Sequence, residues 1–183
     1  QVQGAGAASP LPGQRVSVEG IVVGDHEGPS PALRGFFVQE EDADADADPA
    51  TSEGLFIFNG NADEVSVGDA VRVSGTVAEF DGMTELTQTT TTVLASNQPL
   101  PTPASVSFPV AAVSDLEAFE GMAAVLPQRL VIAEYFNFDR FGEIVVALPA
   151  PGEDFPMSPT AVFAPDDPAA AARASLNLRS RIT

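Results

Sequence analysis

VGDAVRVSGTVAEFDGMTELT (residues 67–87) decides the fold class. Val67-Gly68-Asp69 is a turn signal. Ala70–Val77 then alternates, with Val71, Val73 and Val77 on one side and Arg72, Ser74 and Thr76 on the other, the period of a half-buried strand. Asp81-Gly82 is a tight-hairpin dipeptide, and Met83–Val93 supplies a Thr-rich returning strand. Towards the N-terminus, Leu55–Phe58 (LFIF) and Leu33–Gln39 (LRGFFVQ) are rich in aromatic and β-branched residues and read as two further strands. Arg15–Val23 (RVSVEGIVV) starts with Val16 and Val18 on one face, then shifts phase at Glu19-Gly20 so that Ile21 and Val23 take over. Such a shift predicts a bulge, the device that bends a barrel strand. Five short strands with a bent first one predict a small closed barrel over residues 1–96.

Beyond it, residues 97–109 (NQPLPTPASVSFP) hold four prolines and no periodicity, which predicts an extended connector lying over the first unit. Ser114-Asp115-Leu116-Glu117 has the form of a capping box and predicts a short helix ending near Gly121. Met122–Leu126, Arg129–Ala133 and Glu143–Leu148 read as three more strands, with the aromatic loop Tyr135–Phe141 (YFNFDRF) between the last two. Pro149–Pro168 is Pro-rich and irregular in pattern. Asp167-Pro168 followed by AAAARA predicts a short terminal helix. Residues 97–183 are thus a Pro-rich connector and a β-rich extension that packs on the barrel, completes it or faintly repeats it.

The 183 residues include 26 Asp+Glu against 8 Lys+Arg, a net charge of -18, and no Cys. A 44% hydrophobic content provides for a core. No apolar run is long enough for a membrane helix, and the start Gln-Val-Gln-Gly lacks a basic, apolar leader, so the expectation is a soluble monomer with any signal peptide absent or already removed. Without Cys there is no disulfide frame and no thiol nucleophile. All eight cations are Arg. The acidity fits either a halophilic surface or a GC-rich genome, and in both cases it opposes unassisted binding to a phosphate backbone.

Catalytic signatures are missing. The one histidine, His26, sits in a Gly- and Pro-rich stretch (GDHEGPSP, residues 24–31) and reads as a solvated loop residue. There is no G-x-S-x-G elbow and no glycine-rich phosphate loop. The chain alone is therefore expected not to be a complete enzyme. In Glu40–Asp48 (EEDADADAD), an extended backbone would project Asp42, Asp44, Asp46 and Asp48 to one side, where Ca²⁺ would relieve their repulsion. A solvated loop is the competing reading, since the glycine and distal Glu of an EF-hand are missing. No cofactor beyond this possible Ca²⁺ is expected.

VSVEGIVVGD (16–25), LRGFFVQEED (33–42), GLFIF (54–58), VGDAVRVSGTVAEFDGMTELT (67–87), LEAFEGM (116–122), YFNFDRFGEIVVAL (135–148) and NLRSRI (177–182) occur in this order. Together they resemble the non-catalytic N-terminal region of secreted bacterial nucleases of the ExeM/NucH type. The resemblance implies an oligonucleotide/oligosaccharide-binding (OB) barrel, secreted and extracellular, set before an endonuclease/exonuclease/phosphatase domain that would begin where this chain stops. It implies an accessory role, positioning extracellular DNA, most of all single-stranded, for that catalytic partner. OB barrels stack bases on aromatics and track phosphates with cations. The matching candidates are Arg34 and Phe36 on the second strand, Phe56 and Phe58 on the third, Arg72 on the fourth, and Tyr135, Phe136 and Arg140 in the aromatic loop. Alternation lets only one of Phe36 and Phe37 face outward. The alternatives are a structural, protein-interaction module that binds no nucleic acid, and a Ca²⁺-stabilised carbohydrate-binding module.

Overall fold

The computed structural model describes residues 2–30, 32–46 and 48–183. Gln1, Pro31 of the His26 loop and Ala47 of the acidic run lie outside them, as does the Phe141 side chain. The chain divides into two compact units, Gln1–Ala104 with Leu116–Val125, and Ser105–Asp115 with Leu126–Thr183. The connector is thus shared between the units, and residues 116–125 return to the first.

The first unit is a mixed five-stranded sheet: β1 (Arg15–His26), β2 (Gly35–Gln39), β3 (Gly54–Phe58), β4 (Ala70–Phe80) and β5 (Met83–Ala95). Its hydrogen bonds run in a ring, β1-β2-β3-β5-β4 and back to β1. β1 serves two neighbours, pairing through Arg15–Ile21 with β4 and through Ile21–His26 with β2. Gly20 sits at this hand-over, where a Cβ would come within 2.8 Å of the Gln39 carbonyl oxygen, so only glycine permits the close approach. The change of partner falls next to the expected Glu19-Gly20 position, but the bulge does not. Register with β4 is unbroken through Gly20, and the irregularity falls between Val22 and Gly24. Val22, not Val23, joins the core as a result.

Asp81 and Gly82 both adopt positive φ (52° and 88°) between the paired Phe80 and Met83, as a two-residue hairpin on twisted strands requires. β3 and β5 run parallel through Phe56–Glu85 and Ile57–Leu86 and close the ring. Inside it Val22, Phe36, Val38, Leu55, Ile57 and Leu86 pack with Val71, Val73 and Val77 of β4. Each such side chain contributes ~1.5–3 kcal/mol by leaving water.

Two-residue strands β6 (Ala104–Ser105) and β7 (Ala124–Val125) come next in the chain, and Ala104 N–H donates to Ala123 O at 2.9 Å. Between them, the expected helix is a 3-10 helix over Val113–Phe119. The Asp115 carboxylate, accepting from Ala112 N–H at 2.8 Å, caps it in place of the expected Ser114–Glu117 box.

In the second unit, β8 (Val131–Glu134), β9 (Val145–Ala147) and β10 (Arg181–Ile182) form a sheet of order β10-β9-β8. It is a separate sheet, neither a second ring nor an addition to the first. The helices α1 (Phe138–Phe141) and α2 (Pro159–Val162) are single turns inside segments that read as loops. α3 (Pro168–Arg179) starts where Asp167 accepts from Ala169 N–H at 2.8 Å with Pro168 at the first helical position. Arg173 pairs with Glu153 and donates to Asn177, which in turn donates to the Met157 carbonyl. These bonds tie the Pro-rich stretch to the helix.

Candidate functional site

β2 and β3 carry two unlike surfaces at their two ends. At the first, where Gly35 faces Phe58 in register, Arg34 occupies the left-handed region (φ 67°) just before β2. A non-glycine residue rarely rests there unless its surroundings hold it. Here Arg34 N–H donates to His26 O at 3.0 Å, and Arg34 O accepts from Asn59 N–H and Gly60 N–H at 3.2 Å each. The guanidinium lies over the Phe58 ring, 5.2 Å from its centroid, with Nε donating to Asn61 Oδ1 at 3.1 Å, a cation–π arrangement. His26, the last residue of β1 and not a loop residue, stands edge-on to Phe37 at 5.8 Å. Phe37 in turn leans on Phe56 at 4.9 Å. An aromatic strip, His26–Phe37–Phe56, thus crosses three strands on the outer side of the ring, with Arg34 and Phe58 beside it.

This corrects the candidate set. Phe36 is 0% exposed and belongs to the core, so Phe37 is the outward member of the pair. Alternation held, with the phase opposite to the one assigned. Phe56 is on the outer side yet only 3% exposed, because its ring lies across Gly35 and under Phe37. It supports the strip and cannot itself present a free ring. Arg72 lies on β4, between β1 and β5 in the ring, and is ion-paired to Glu19 at 2.7 Å. It does not converge with Arg34.

Tyr135, Phe136 and Arg140 belong to the second unit. Tyr135 is 74%, Phe136 91% and Phe138 61% exposed, so these three rings face solvent. Arg140 is exposed and engaged with a neighbour. Sequence reasoning missed Glu27. Its Oε1 accepts from Asn59 Nδ2, and its Oε2 accepts from Glu64 N–H (2.9 Å) and Val65 N–H (3.0 Å), pinning the chain after β3. Its place directly after His26, the last residue of β1, gave no signal of this.

The other end of β2–β3, where Gln39 faces Gly54, is acidic. The run from Glu40 is turned, not extended. Asp44 N–H and Ala45 N–H both donate to Glu41 O, and Asp46 Oδ1 accepts from Asp48 N–H at 2.8 Å and from Thr51 Oγ1. Asp48 Oδ1 accepts from Ala50 N–H. Asp42 accepts from Thr102 N–H (2.8 Å) and Oγ1 (2.6 Å), and these bonds hold its carboxyl below the usual range. Asp42, Asp44, Asp46 and Asp48 are therefore not presented by one extended strand, because the carboxylates of Asp46 and Asp48 close local turns, that of Asp42 clamps the connector, and Asp44 sits in a turn through its backbone N–H. Among the described residues no three acidic or histidine side chains converge as a metal site needs. Burial, then the neighbouring Glu40 and Asp46, push the Glu53 carboxyl up to about 7. Glu85 and Glu120 are also raised, chiefly by burial.

Comparison of the chain with protein-family models, with curated proteins and with solved structures finds no match.

Proposed function

We propose that the chain is an OB-like accessory domain of a secreted nuclease that engages single-stranded nucleic acid over the outer β2–β3 surface. One observation carries the reading: Arg34, fixed in a left-handed conformation by three backbone hydrogen bonds, holds its guanidinium over Phe58 beside the half-buried Phe37 and exposed His26. The strand order β1-β2-β3-β5-β4 with β3 parallel to β5 is compatible with an OB barrel, whose second and third strands offer the ligand face. A base would stack on Phe37 or Phe58 and a phosphate would take Arg34 from Asn61. Catalysis would belong to a separate domain.

The test is fluorescence anisotropy against single-stranded and duplex DNA at low and high NaCl. Single-strand binding that weakens with salt is expected, and Arg34→Ala should lower the salt slope by about one unit. An unchanged slope removes Arg34 from the site. Absence of binding supports a second reading, a protein-interaction module. That reading is favoured by the use of Arg72, Arg173 and Arg181 in ion pairs and by the exposed ring of Phe136.

A further inference from the structure

The acidic end of the ring contains a cleft of about 510 Å³, floored by Val16, Val18, Val38 and Leu55 and rimmed by Glu40, Asp44, Asp46 and Glu53. Its size falls in the range of small-molecule sites, ~300–1,000 Å³. We infer that this cleft binds an aliphatic organic cation of the polyamine class, with methylenes on the valine floor and ammonium groups at the carboxylate rim.

Two features point to a ligand of both characters. Glu53 Oε2 is sealed from solvent and takes no amide, hydroxyl or arginine donor; its side chain pairs with the Glu40 carboxyl, and Oε1 accepts from Asp46 N–H at 3.3 Å. The groups facing Glu53 are the carboxylates of Glu40, which follows β2, and of Asp46 in the acidic turns; Asp44 of the same turns and Glu19 of β1 also line the cleft. Glu19 is already matched by Arg72, while among the described residues no arginine lines the cleft. Two ionised carboxylates have no proton to share, so Oε2 is satisfied only by a proton on the pair or by a donor from outside. An ammonium group supplies three donors and a positive charge. A bare metal ion fits less well, since three carboxylates do not converge and the valine floor would stay wet. A methylene chain instead gains ~0.8 kcal/mol for each buried CH₂.

Proton balance follows. With the Glu53 carboxyl at about 7, the unliganded pair holds a proton for part of the time at neutral pH. An entering ammonium ionises it, and the proton leaves to the buffer, so binding strengthens as pH rises through 7. Diffuse attraction to a chain of charge -18 is screened by salt and is not tied to Glu53.

The experiment is calorimetric titration of the full chain with spermidine at neutral pH, in two buffers of different ionisation enthalpy, with enough NaCl to screen diffuse charge. One-to-one binding with a buffer-dependent heat is expected, as is ~10-fold or greater weakening and loss of that dependence in Glu53→Gln. Glu143→Gln in the second unit should change nothing. Ethylenediamine, too short to cover the floor, should bind more weakly than 1,5-diaminopentane. If Glu53→Gln does not fold, Glu40→Gln carries the same expectation. Several equivalent sites without proton release, equal affinity in Glu53→Gln, or displacement by equimolar Mg²⁺ or Ca²⁺ overturns the inference.

Discussion

The two ends of the β2–β3 pair lie only four residues apart on each strand, yet one gathers Arg34, His26, Phe37 and Phe58 and the other Glu40, Asp44, Asp46 and Glu53. A net charge of -18 averages over this polarity. What an acidic chain can recognise is set by where its carboxylates are absent as much as by how many there are. At the aromatic end Glu27 is consumed by backbone amides. At the acidic end the carboxylates crowd until one of them holds its proton near neutrality.

The strongest test of this polarity is at the glycine that closes each end. A Cβ on Gly35 would stand 2.2 Å from the Ile57 carbonyl oxygen, and one on Gly54 2.3 Å from the Gly121 carbonyl carbon, both backbone atoms that cannot turn aside. Gly35→Ala and Gly54→Ala should each cost ~3 kcal/mol or more in urea unfolding, whereas Gly6→Ala, with open space around it, should be neutral. Equal, small effects at all three would mean that the ends are not closed as described.

Next in size is the contrast between neighbours on β2. Phe36→Ala should destabilise by ~3–5 kcal/mol. Phe37→Ala should cost clearly less in stability but weaken single-stranded DNA binding by ~1–3 kcal/mol, the worth of one stacked base. The reverse ordering would restore Phe36 as the platform and undo the assigned phase.

A smaller effect separates the ends by pH. Glu53 at about 7, with Glu85 and Glu120 also raised, favours the protonated form in the folded state. Their stabilisation is complete below the ordinary Glu value of ~4.3 and is lost as pH rises through the folded values. The melting temperature should therefore fall between about pH 4.5 and 7.5 and level off above, and Glu53→Gln should flatten that fall. A melting temperature that climbs across this window would contradict the crowding at the acidic mouth. Smallest of all, Arg72→Ala breaks an ion pair in which both side chains are about half exposed. It should cost no more than ~1 kcal/mol and leave the DNA salt slope unchanged, since Arg72 lies away from the aromatic strip.

Much of the fold was legible where a local rule suffices. The alternation of Val71, Val73 and Val77, the Asp81-Gly82 hairpin and the Asp167-Pro168 helix start each depend on a few adjacent residues, and each formed as read. The candidate site was less legible. Phe36-Phe37 looks the same in either phase, and whether a ring ends inside depends on the partners that β1 and β3 bring. The alternating Asp run invited an extended reading, but short carboxylates accept from amides two residues ahead and curl such a segment into turns, as Asp46 and Asp48 do.

The sequence by itself determined the five strands of the first unit, the Asp81-Gly82 hairpin and the terminal helix, because these follow from spacing and from the φ that particular residues tolerate. Only tertiary structure decided that β3 runs parallel to β5, that Arg34 rests on Phe58, that Glu27 pins the chain after β3, and that Glu53 meets Glu40 at a valine-lined cleft. Those contacts join residues made neighbours by ring closure, and their energies depend on burial and neighbouring charge, which no local pattern encodes.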